Sequence, residues 1–282
     1  MKLALIFNKE REDTIGCYFE RAAKELDVLY DHYWTKDAAE IKGKYDLFLR
    51  IDHGDYKYDL PTYLKPSAFY VIDTHLKKPY GKIKEQVAHY DYIFCAQRDG
   101  TERLRRDVGV NAMWVPIGCD PKMHKRLEIE KRFDIAFVGT EGKKNLRGQL
   151  LKMLARRHPN NFIGKADFRL LSNIYSSAKI GFNYSINNDI NMRMFEVLSC
   201  GALLITNYIR DNGFEELFSD GLNVVAYKSP VELFQKIDYY LAHEEERERI
   251  AKEGHLLAIV LHTYKERLRK MLEVVGCRSN AI

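Results

Sequence analysis

The sequence lacks any apolar run close to the roughly 20 residues that a membrane-spanning helix needs. Its apolar start, from Met1 to Phe7, is too short for a signal peptide, and the polar Asn8 follows it at once. The five cysteines lie far apart without a CxxC pair, which is typical of reduced thiols and argues against a disulfide framework or a zinc site. We therefore expect a cytoplasmic protein without a transmembrane segment.

Several enzyme signatures are also missing. The sequence contains no GxxxxGK[ST], GxGxxG, HExxH or GxSxG motif. Their absence argues against a phosphate-loop nucleoside triphosphatase, a dinucleotide-binding protein of the GxGxxG type, a zinc protease and a serine hydrolase. The 45 basic and 40 acidic residues are interspersed and give a net charge of +5. This balance suits a small anionic ligand and is too dilute to predict a nucleic-acid partner.

The length and the pattern predict two domains. With 282 residues, of which 46% are hydrophobic, the chain is large enough for two cores. Short apolar strands alternate with amphipathic helices in residues 1–120, lapse in a charged stretch, and alternate again in residues 130–255. Such alternation predicts parallel sheets covered on both faces, and hence two Rossmann-like α/β lobes that face a central cleft. Residues 256–282 are expected to form an amphipathic helix that packs across the lobes, in preference to docking on a membrane.

A glycine-containing turn follows the predicted strand that ends at Val138. It includes Gly139, Thr140 and Lys143, and it precedes a helix that carries Arg147. In an open α/β sheet this junction lies at the carboxyl edge, where ligands bind, and a helix N-terminus with basic residues favours an anion. These four residues are candidates for phosphate binding. An ordinary glycine turn with solvated lysines is the alternative.

The segment from Ser185 to Thr206 carries a stronger signal. A strand ends near Ser185, an asparagine-rich loop follows, and a helix begins near Asn191, which can cap it. Arg193 in the first turn opposes the helix dipole at a cost of about 0.3–1 kcal/mol, so a function is a fair explanation for it. Free helix amides and an arginine suit a diphosphate. Glu196, one turn later, can accept bonds from a vicinal diol, or it can form a weak ion pair with Arg193.

Polar residues also follow two predicted strands of the first lobe. Asp52 and His53 come after one strand, and Asp73 and His75 come after another. Residues in such positions line a ligand cleft, and a histidine or aspartate there can remove the proton of an acceptor hydroxyl. Ordinary loop residues with satisfied hydrogen bonds are the alternative.

The segment Asn-x-Arg-x-Phe-Glu-x-Leu-x-Cys-Gly-x-Leu-Leu-x-Thr at residues 191–206 carries a family resemblance. Together with residues 69–75, 91–97, 114–120 and 137–139, it resembles the glycosyltransferase group-1-like domain of the CgeB-like (spore maturation protein-like) family, from about residue 68 to residue 275. The resemblance implies a GT-B fold and a hexosyltransferase-like glycosyltransferase. It also implies a nucleotide-diphosphate-sugar donor, an unidentified acceptor (glycan, protein or small molecule), and no metal or other cofactor.

The resemblance assigns roles to residues as well. Glu196 matches the second glutamate of a Glu-x7-Glu pair, which contacts the donor ribose in the wider superfamily. The first position of that pair is Asn188 here, and this departure leaves the sugar contact and the stereochemical outcome open. His75 is the preferred base, because the family's strand ends in it. Tyr184 and Met192 complete the expected donor site.

Asp73 and Arg193 join His75 as expected catalytic residues. Two other functions stay open. A GT-B-fold nucleotide-sugar epimerase would use the same diphosphate site, although it would need more carboxylates and histidines than the loop 185–189 offers. A catalytically silent coat or assembly protein is compatible with the missing first glutamate.

Overall fold

The fold is described from a computed structural model that covers residues 1–142 and 144–279. Contacts within the chain divide it into two compact units. The first unit is Met1–Ile117 together with the C-terminal residues from Tyr264 onward, and the second unit is Gly118–Thr263. Among the described residues, no helix is both long enough and apolar enough to cross a membrane.

The first unit is built on a parallel sheet of six strands in the order β2-β1-β3-β4-β5-β6. Short 3-10 helices lie at Thr35–Glu40, Asp73–His75 and Val87–His89. Its main elements are β1 (Lys2–Ile6), α1 (Ile15–Glu25), β2 (Leu29–Tyr33), β3 (Leu47–Ile51), β4 (Ser67–Val71), α2 (Lys77–Gln86), β5 (Tyr92–Cys95), α3 (Arg98–Val108) and β6 (Ala112–Trp114).

The second unit is built on a parallel sheet of five strands in the order β11-β10-β9-β7-β8. A 3-10 turn lies at Phe168–Leu170. Its main elements are β7 (Phe133–Val138), α4 (Leu146–Arg157), β8 (Asn161–Gly164), α5 (Leu171–Ser176), β9 (Ala178–Asn183), α6 (Met192–Ser199), β10 (Leu203–Asn207), α7 (Phe214–Leu217), β11 (Val225–Tyr227), α8 (Pro230–Ala242) and α9 (Glu244–Leu261).

The last helix, α10 (Tyr264–Ser279), completes the first unit. The ring of Tyr264 lies between those of Tyr18 and Phe19 on α1, with centroid distances of 5.0 and 5.4 Å. Arg267 on the next turn donates from Nε to the carbonyl oxygen of Pro116 at 2.7 Å. Because its aromatic face is buried against α1, α10 is part of the core of this unit and not a surface helix.

Close packing fixes α6 on the sheet of the second unit. A β-carbon on Gly181 of β9 would lie 2.3 Å from Val197 of α6, so only glycine lets the helix approach the strand so closely. Gly201 follows the helix at φ +76° and ends it in the left-handed conformation, as its sequence position predicts. The start of α6 is thereby held at the carboxyl edge of the sheet.

The prediction of two α/β lobes with parallel sheets is confirmed. The prediction of one helix over residues 256–282 is wrong, because α9 ends at Leu261 and α10 begins at Tyr264. The break has a physical cause: the carbonyl oxygen of His262 accepts a bond from the backbone of Cys119 at 2.8 Å, and Thr263 forms a β-bridge with Cys119. The predicted packing of residues 256–282 across the lobes stays a prediction.

Candidate functional site

Arg193 joins two strands of the second unit at the point where the strand order reverses. Its Nε donates to the carbonyl oxygen of Val138, the last residue of β7, at 2.9 Å, and its Nη1 donates to Oδ1 of Asn183, the last residue of β9, at 3.0 Å. β7 and β9 are neighbours in the sheet. The strand that follows β7 along the chain, β8, lies on one side of this pair, and the strand that follows β9, β10, lies on the other side. In open α/β sheets this switch point is where ligands bind.

Asn183 is itself fixed by the next strand. Its side chain is fully buried, and its Nδ2 donates to Oγ1 of Thr206 on β10 at 2.9 Å. We assign the amide orientation from this bond, because it leaves Oδ1 to accept from Arg193. The guanidinium group is therefore positioned by three adjacent strands, and it does not depend on loop contacts alone.

A second arginine lies beside the first. The guanidinium carbon of Arg193 lies 4.3 Å from the ring centroid of Phe137, and that of Arg147 lies 5.8 Å from the same ring. Arg147 donates from Nη2 to the carbonyl oxygen of Thr140 at 2.7 Å. Burial, followed by the charge of Arg193, lowers the pKa of Arg147. These bonds go to neutral oxygen atoms and do not neutralise the two positive charges, so the arrangement favours an anionic ligand.

Gly139 packs against the guanidinium group of Arg193, and its predicted role in phosphate binding stays a prediction. Its φ is +144°, and a β-carbon there would lie 2.4 Å from Nη2 of Arg193. The glycine is therefore needed because the guanidinium group packs on its backbone. The carbonyl of Thr140 is occupied by Arg147, and Asn145 caps α4 by accepting from the backbone of Gly148 at 3.1 Å. Lys143, also predicted here, lies outside the described residues.

Asn191 occupies the N-cap position of α6, as predicted, but its side chain makes no capping hydrogen bond. The expected side-chain cap is thus wrong: the backbone has the extended conformation usual at an N-cap, at φ −100° and ψ 163°, but the side chain accepts no bond from the helix amides. Its Oδ1 is buried and has no hydrogen-bond partner in the described structure. Met192, the first residue of α6, is half-buried next to it. An orphaned acceptor beside Arg193 is a place where a ligand hydroxyl would be satisfied.

Glu196 lies one turn after Arg193 and is 8% exposed. One of its carboxylate oxygens, Oε1, lies 3.9 Å from Nε2 of His124. The alternative ion pair with Arg193 is not what the structure shows, because the guanidinium group is turned toward Val138 and Asn183. Glu196 is therefore left facing a buried histidine that the sequence analysis did not single out.

Asn188 uses its side chain to join two loops. Its Nδ2 donates to the carbonyl oxygen of Arg210 at 2.6 Å, and its Oδ1 accepts from the backbone of Arg210 at 3.0 Å. The residue has φ +56°, a conformation that asparagine tolerates better than most side chains. Both polar atoms are thus engaged in ordering the loops, and the donor-binding role expected for Asn188 stays a prediction.

Tyr184 lies on the other face of the sheet from Asn183, as strand alternation requires. It packs against the apolar core of the second unit and lines a cavity of about 280 Å³ together with Tyr208 and Tyr227. Arg210 and Lys228 also line this cavity. Tyr184 thus lies on the wall of a neighbouring cavity and contacts that core, while Asn183 contacts Arg193.

In the first unit, Asp52 has a structural role. The side chain is 4% exposed, and its oxygens accept from the backbone of Gly54 at 3.0 Å, from the backbone of Ile72 at 3.0 Å and of Asp73 at 3.2 Å, and from the hydroxyl of Tyr56 at 2.9 Å. An ionised carboxylate has about four lone-pair sites, so these four donors fill its hydrogen-bonding capacity. Asp52 therefore ties the carboxyl end of β3 to that of β4, and its carboxylate has little capacity left for an acceptor.

Two histidines at the same sheet edge have ring nitrogens without partners. In the described structure, both nitrogens of His53 and the Nδ1 of His75 are buried and make no hydrogen bond. Burial lowers the pKa of His53 more than the neighbouring Asp52 raises it. Asp73 and His75 are half-buried residues of one 3-10 turn after β4. A neutral imidazole with an unpartnered nitrogen can accept a proton from a ligand.

A family model described as "Glycosyl transferase-like" matches residues 122–273, which is more than half of the chain. The chain belongs to this family. No curated protein matches the sequence significantly. The region matched by the family model includes Arg193, Glu196 and His124, so these residues lie inside the family domain.

Solved structures show the fold of this glycosyl transferase-like chain. HepE from Anabaena, in complex with UDP and glucose, superposes with a TM-score of 0.68 at 11% identity, covering 98% of this chain and 100% of that one. Sucrose-phosphate synthase from Thermosynechococcus elongatus gives 0.66 at 11% identity, with 100% of both chains covered. An α-glucosyltransferase in complex with UDP-glucose and DNA containing an abasic site gives 0.70 at 10% identity, covering 98% and 99%. The likeness shows that the chain has the GT-B fold.

Three residues of this site, Asn183, Thr206 and His124, were not among the predicted site residues. Asn183 and Thr206 fix the guanidinium group of Arg193, and His124 faces Glu196. Asn183 ends an apolar strand, and Thr206 is the last residue of the segment 191–206 that carries the family resemblance. The signal that could have identified both as site residues is a polar side chain near the end of an apolar strand. For His124 no local signal exists, because it lies in the charged stretch between residues 120 and 130, where the alternation of strands and helices lapses.

Proposed function

We propose that the chain transfers a sugar, of hexose type, from a nucleotide-diphosphate donor to an acceptor hydroxyl, as a CgeB-like member of its family. The observation that carries the proposal is the position of Arg193 at the switch point of the second sheet, with Arg147 beside it. Two guanidinium groups with neutral partners at a helix N-terminus suit a diphosphate better than any neutral ligand.

The donor would bind in three parts. The diphosphate would lie against Arg193 and Arg147 near the start of α6, and the ribose hydroxyls would donate to Glu196. The orphaned Oδ1 of Asn191 would accept a hydroxyl from the donor. UDP and UDP-glucose are the first ligands to test, because HepE and the α-glucosyltransferase were solved with them.

In this proposal the chain needs no metal ion for transfer. As the sugar–phosphate bond breaks, negative charge grows on the diphosphate, and preorganised positive groups lower the energy of that transition state. Arg193 is preorganised by its two bonds to the sheet. Transfer that persists in EDTA would support this part of the proposal, and transfer that is abolished by EDTA and restored by a divalent cation would contradict it.

The acceptor would be bound at the carboxyl edge of the first sheet. His53 and His75 offer buried ring nitrogens without protein partners there, and either can take the proton of an acceptor hydroxyl. His75 is the base favoured by the family resemblance, with Asp73 in the same turn. Asp52 would act indirectly, because it fixes the segments that carry His53 and Asp73.

A ligand screen tests the proposal. Melting temperatures are measured with UDP-, GDP-, ADP-, CMP- and dTDP-sugars, because a ligand at 100 times its dissociation constant stabilises the folded state by about 2.7 kcal/mol. The stabilising compound is then incubated with candidate acceptors, and release of nucleoside diphosphate together with a new glycoside is the expected result. Stabilisation by none of these compounds would contradict the proposal. Inversion at a sugar carbon without nucleotide release would indicate an epimerase, and binding without turnover a silent protein.

A further inference from the structure

We propose that His124 is a positioning residue for Glu196 and thereby sets how tightly the chain holds the donor ribose. This inference rests on the proposed function, in which Glu196 accepts hydrogen bonds from the ribose hydroxyls. Neither the family motif nor the charged stretch around His124 points to such a role, and it follows from the packing of residues 120–124 against α6.

The imidazole of His124 has a defined orientation. The side chain is 2% exposed, and its Nδ1 accepts a hydrogen bond from the backbone of Asp120 at 3.4 Å. From this bond we assign the hydrogen of the neutral ring to Nε2. Nε2 lies 3.9 Å from Oε1 of Glu196, so the N–H group faces the carboxylate.

The same loop is fastened to the helix that carries Glu196. The carbonyl oxygen of His124 accepts a bond from the hydroxyl of Ser199 at 2.6 Å, and Ser199 is fully buried on α6. His124 is therefore held through its main chain to α6 and through its ring to Asp120. The segment that carries the ring is therefore attached to the helix that carries the carboxylate.

A buried carboxylate needs such a neighbour. Glu196 is 8% exposed among apolar residues of α6, where a carboxylate with free rotation would lose binding energy when a ligand orders it. An imidazole N–H that closes on Oε1 when a ligand binds would hold the carboxylate in an orientation in which its remaining lone pairs are available to two hydroxyls. At 3.9 Å the contact is longer than a hydrogen bond, and we expect it to shorten when the diol binds.

The test compares two probes, UDP and 2′,3′-dideoxy-UDP, by calorimetry. His124→Phe keeps the ring and removes both nitrogens, whereas His124→Gln keeps an N–H donor near the position of Nε2. His124→Phe is expected to weaken UDP binding about tenfold, the size of one hydrogen bond to a charged group, and to leave dideoxy-UDP binding unchanged. His124→Gln should restore much of the UDP affinity. The effects of His124→Phe and Glu196→Gln should not add, because the first acts through the second.

A matched control is available on α9, which packs against α6. His255 also contacts α6, through its Nδ1 and the carbonyl oxygen of Ser199 at 2.9 Å, but it is not bonded to Glu196. His255→Phe should therefore leave the ratio of the two affinities unchanged. Equal weakening of both probes by His124→Phe, or additivity with Glu196→Gln, would overturn the inference and leave the proposed function intact. A wild-type chain that binds neither UDP nor any other nucleoside diphosphate of the ligand screen would contradict both.

Discussion

Nε of Arg193 donates to the carbonyl oxygen of Val138 across 2.9 Å, which ties the first turn of α6 to the end of β7. An arginine at that place opposes the helix dipole and would not be favoured for stability alone. The bond holds the guanidinium group against the backbone of Gly139, and the group is preorganised before any ligand arrives. The proposed chemistry depends on this contact together with the bond to Asn183.

Gly139→Ala should displace Arg193. The new methyl group would lie 2.4 Å from Nη2 of Arg193, which is too close for two non-bonded atoms. We expect the guanidinium group to move, because it is the end of a flexible side chain, whereas Gly139 is part of the main chain. We expect nucleoside-diphosphate affinity to fall by about tenfold or more, as expected when a charge-assisted hydrogen bond is lost. Calorimetric titration of the variant checks this.

The control for Gly139→Ala is Gly221→Ala. Gly221 has φ +76°, and a β-carbon there would meet no atom within 4 Å. Both variants carry the backbone strain of a left-handed residue, about 1–3 kcal/mol, but only Gly139→Ala contacts the arginine. Equal loss of affinity in the two variants would show that strain, and not Arg193, is responsible.

Asn183→Asp should weaken donor binding without changing the shape of the site. The substitution places a carboxylate 3.0 Å from Nη1 of Arg193, and Thr206 can still bond to the other oxygen. The new ion pair would neutralise the charge that the diphosphate needs, so affinity should fall about tenfold or more while the melting temperature holds or rises. Unchanged affinity would show that the positive charge of Arg193 does not contribute to diphosphate binding.

Arg147→Ala and Arg156→Ala separate a local effect from net charge. The two arginines lie at opposite ends of α4, and Arg156 is exposed in its last turn. Removing Arg147 should raise the dissociation constant of the diphosphate about tenfold, whereas removing Arg156 should change it less than twofold at moderate ionic strength. Similar losses in both variants would indicate a general electrostatic attraction.

Acid should destabilise the first unit partly through His53. Folding lowers the pKa of this histidine, so the unfolded chain binds more protons once the pH falls below about 6.5. Its contribution to stability is complete above that pH and is lost as the pH falls toward the folded pKa. Melting temperatures at about pH 7.5 and pH 5 should therefore differ less in His53→Leu than in the wild type. An equal difference would show that the ring titrates alike in both states.

Local signals in the sequence predicted local structure well. The predicted helix that carries Arg147 is α4, and the residue before it, Asn145, caps it by accepting from the backbone of Gly148 at 3.1 Å. Propensity and capping act over a few residues, so a single sequence is enough to predict them. Repeated alternation of strands and helices was likewise enough to predict two parallel sheets.

Partners distant in sequence were not predictable in this way. Val138 is 55 residues from Arg193, and His124 is 75 residues from Ser199. Which strand neighbours which, and which loop covers a helix, is decided by packing of the whole unit and not by the residues around each position. For this reason the packing of Arg193 against Gly139 was not predicted, and the expected contact of Gly139 with a phosphate stays a prediction.

The dissociation constant of Arg193→Gln for a nucleoside diphosphate is the most direct test of the central claim. The ligand is the diphosphate whose sugar conjugate stabilises the wild-type chain most, and melting temperature verifies that the variant is folded. The account predicts that the affinity falls by about 10- to 100-fold, the loss expected for one or two charge-assisted hydrogen bonds. A folded Arg193→Gln chain that binds the diphosphate as tightly as the wild type would contradict it.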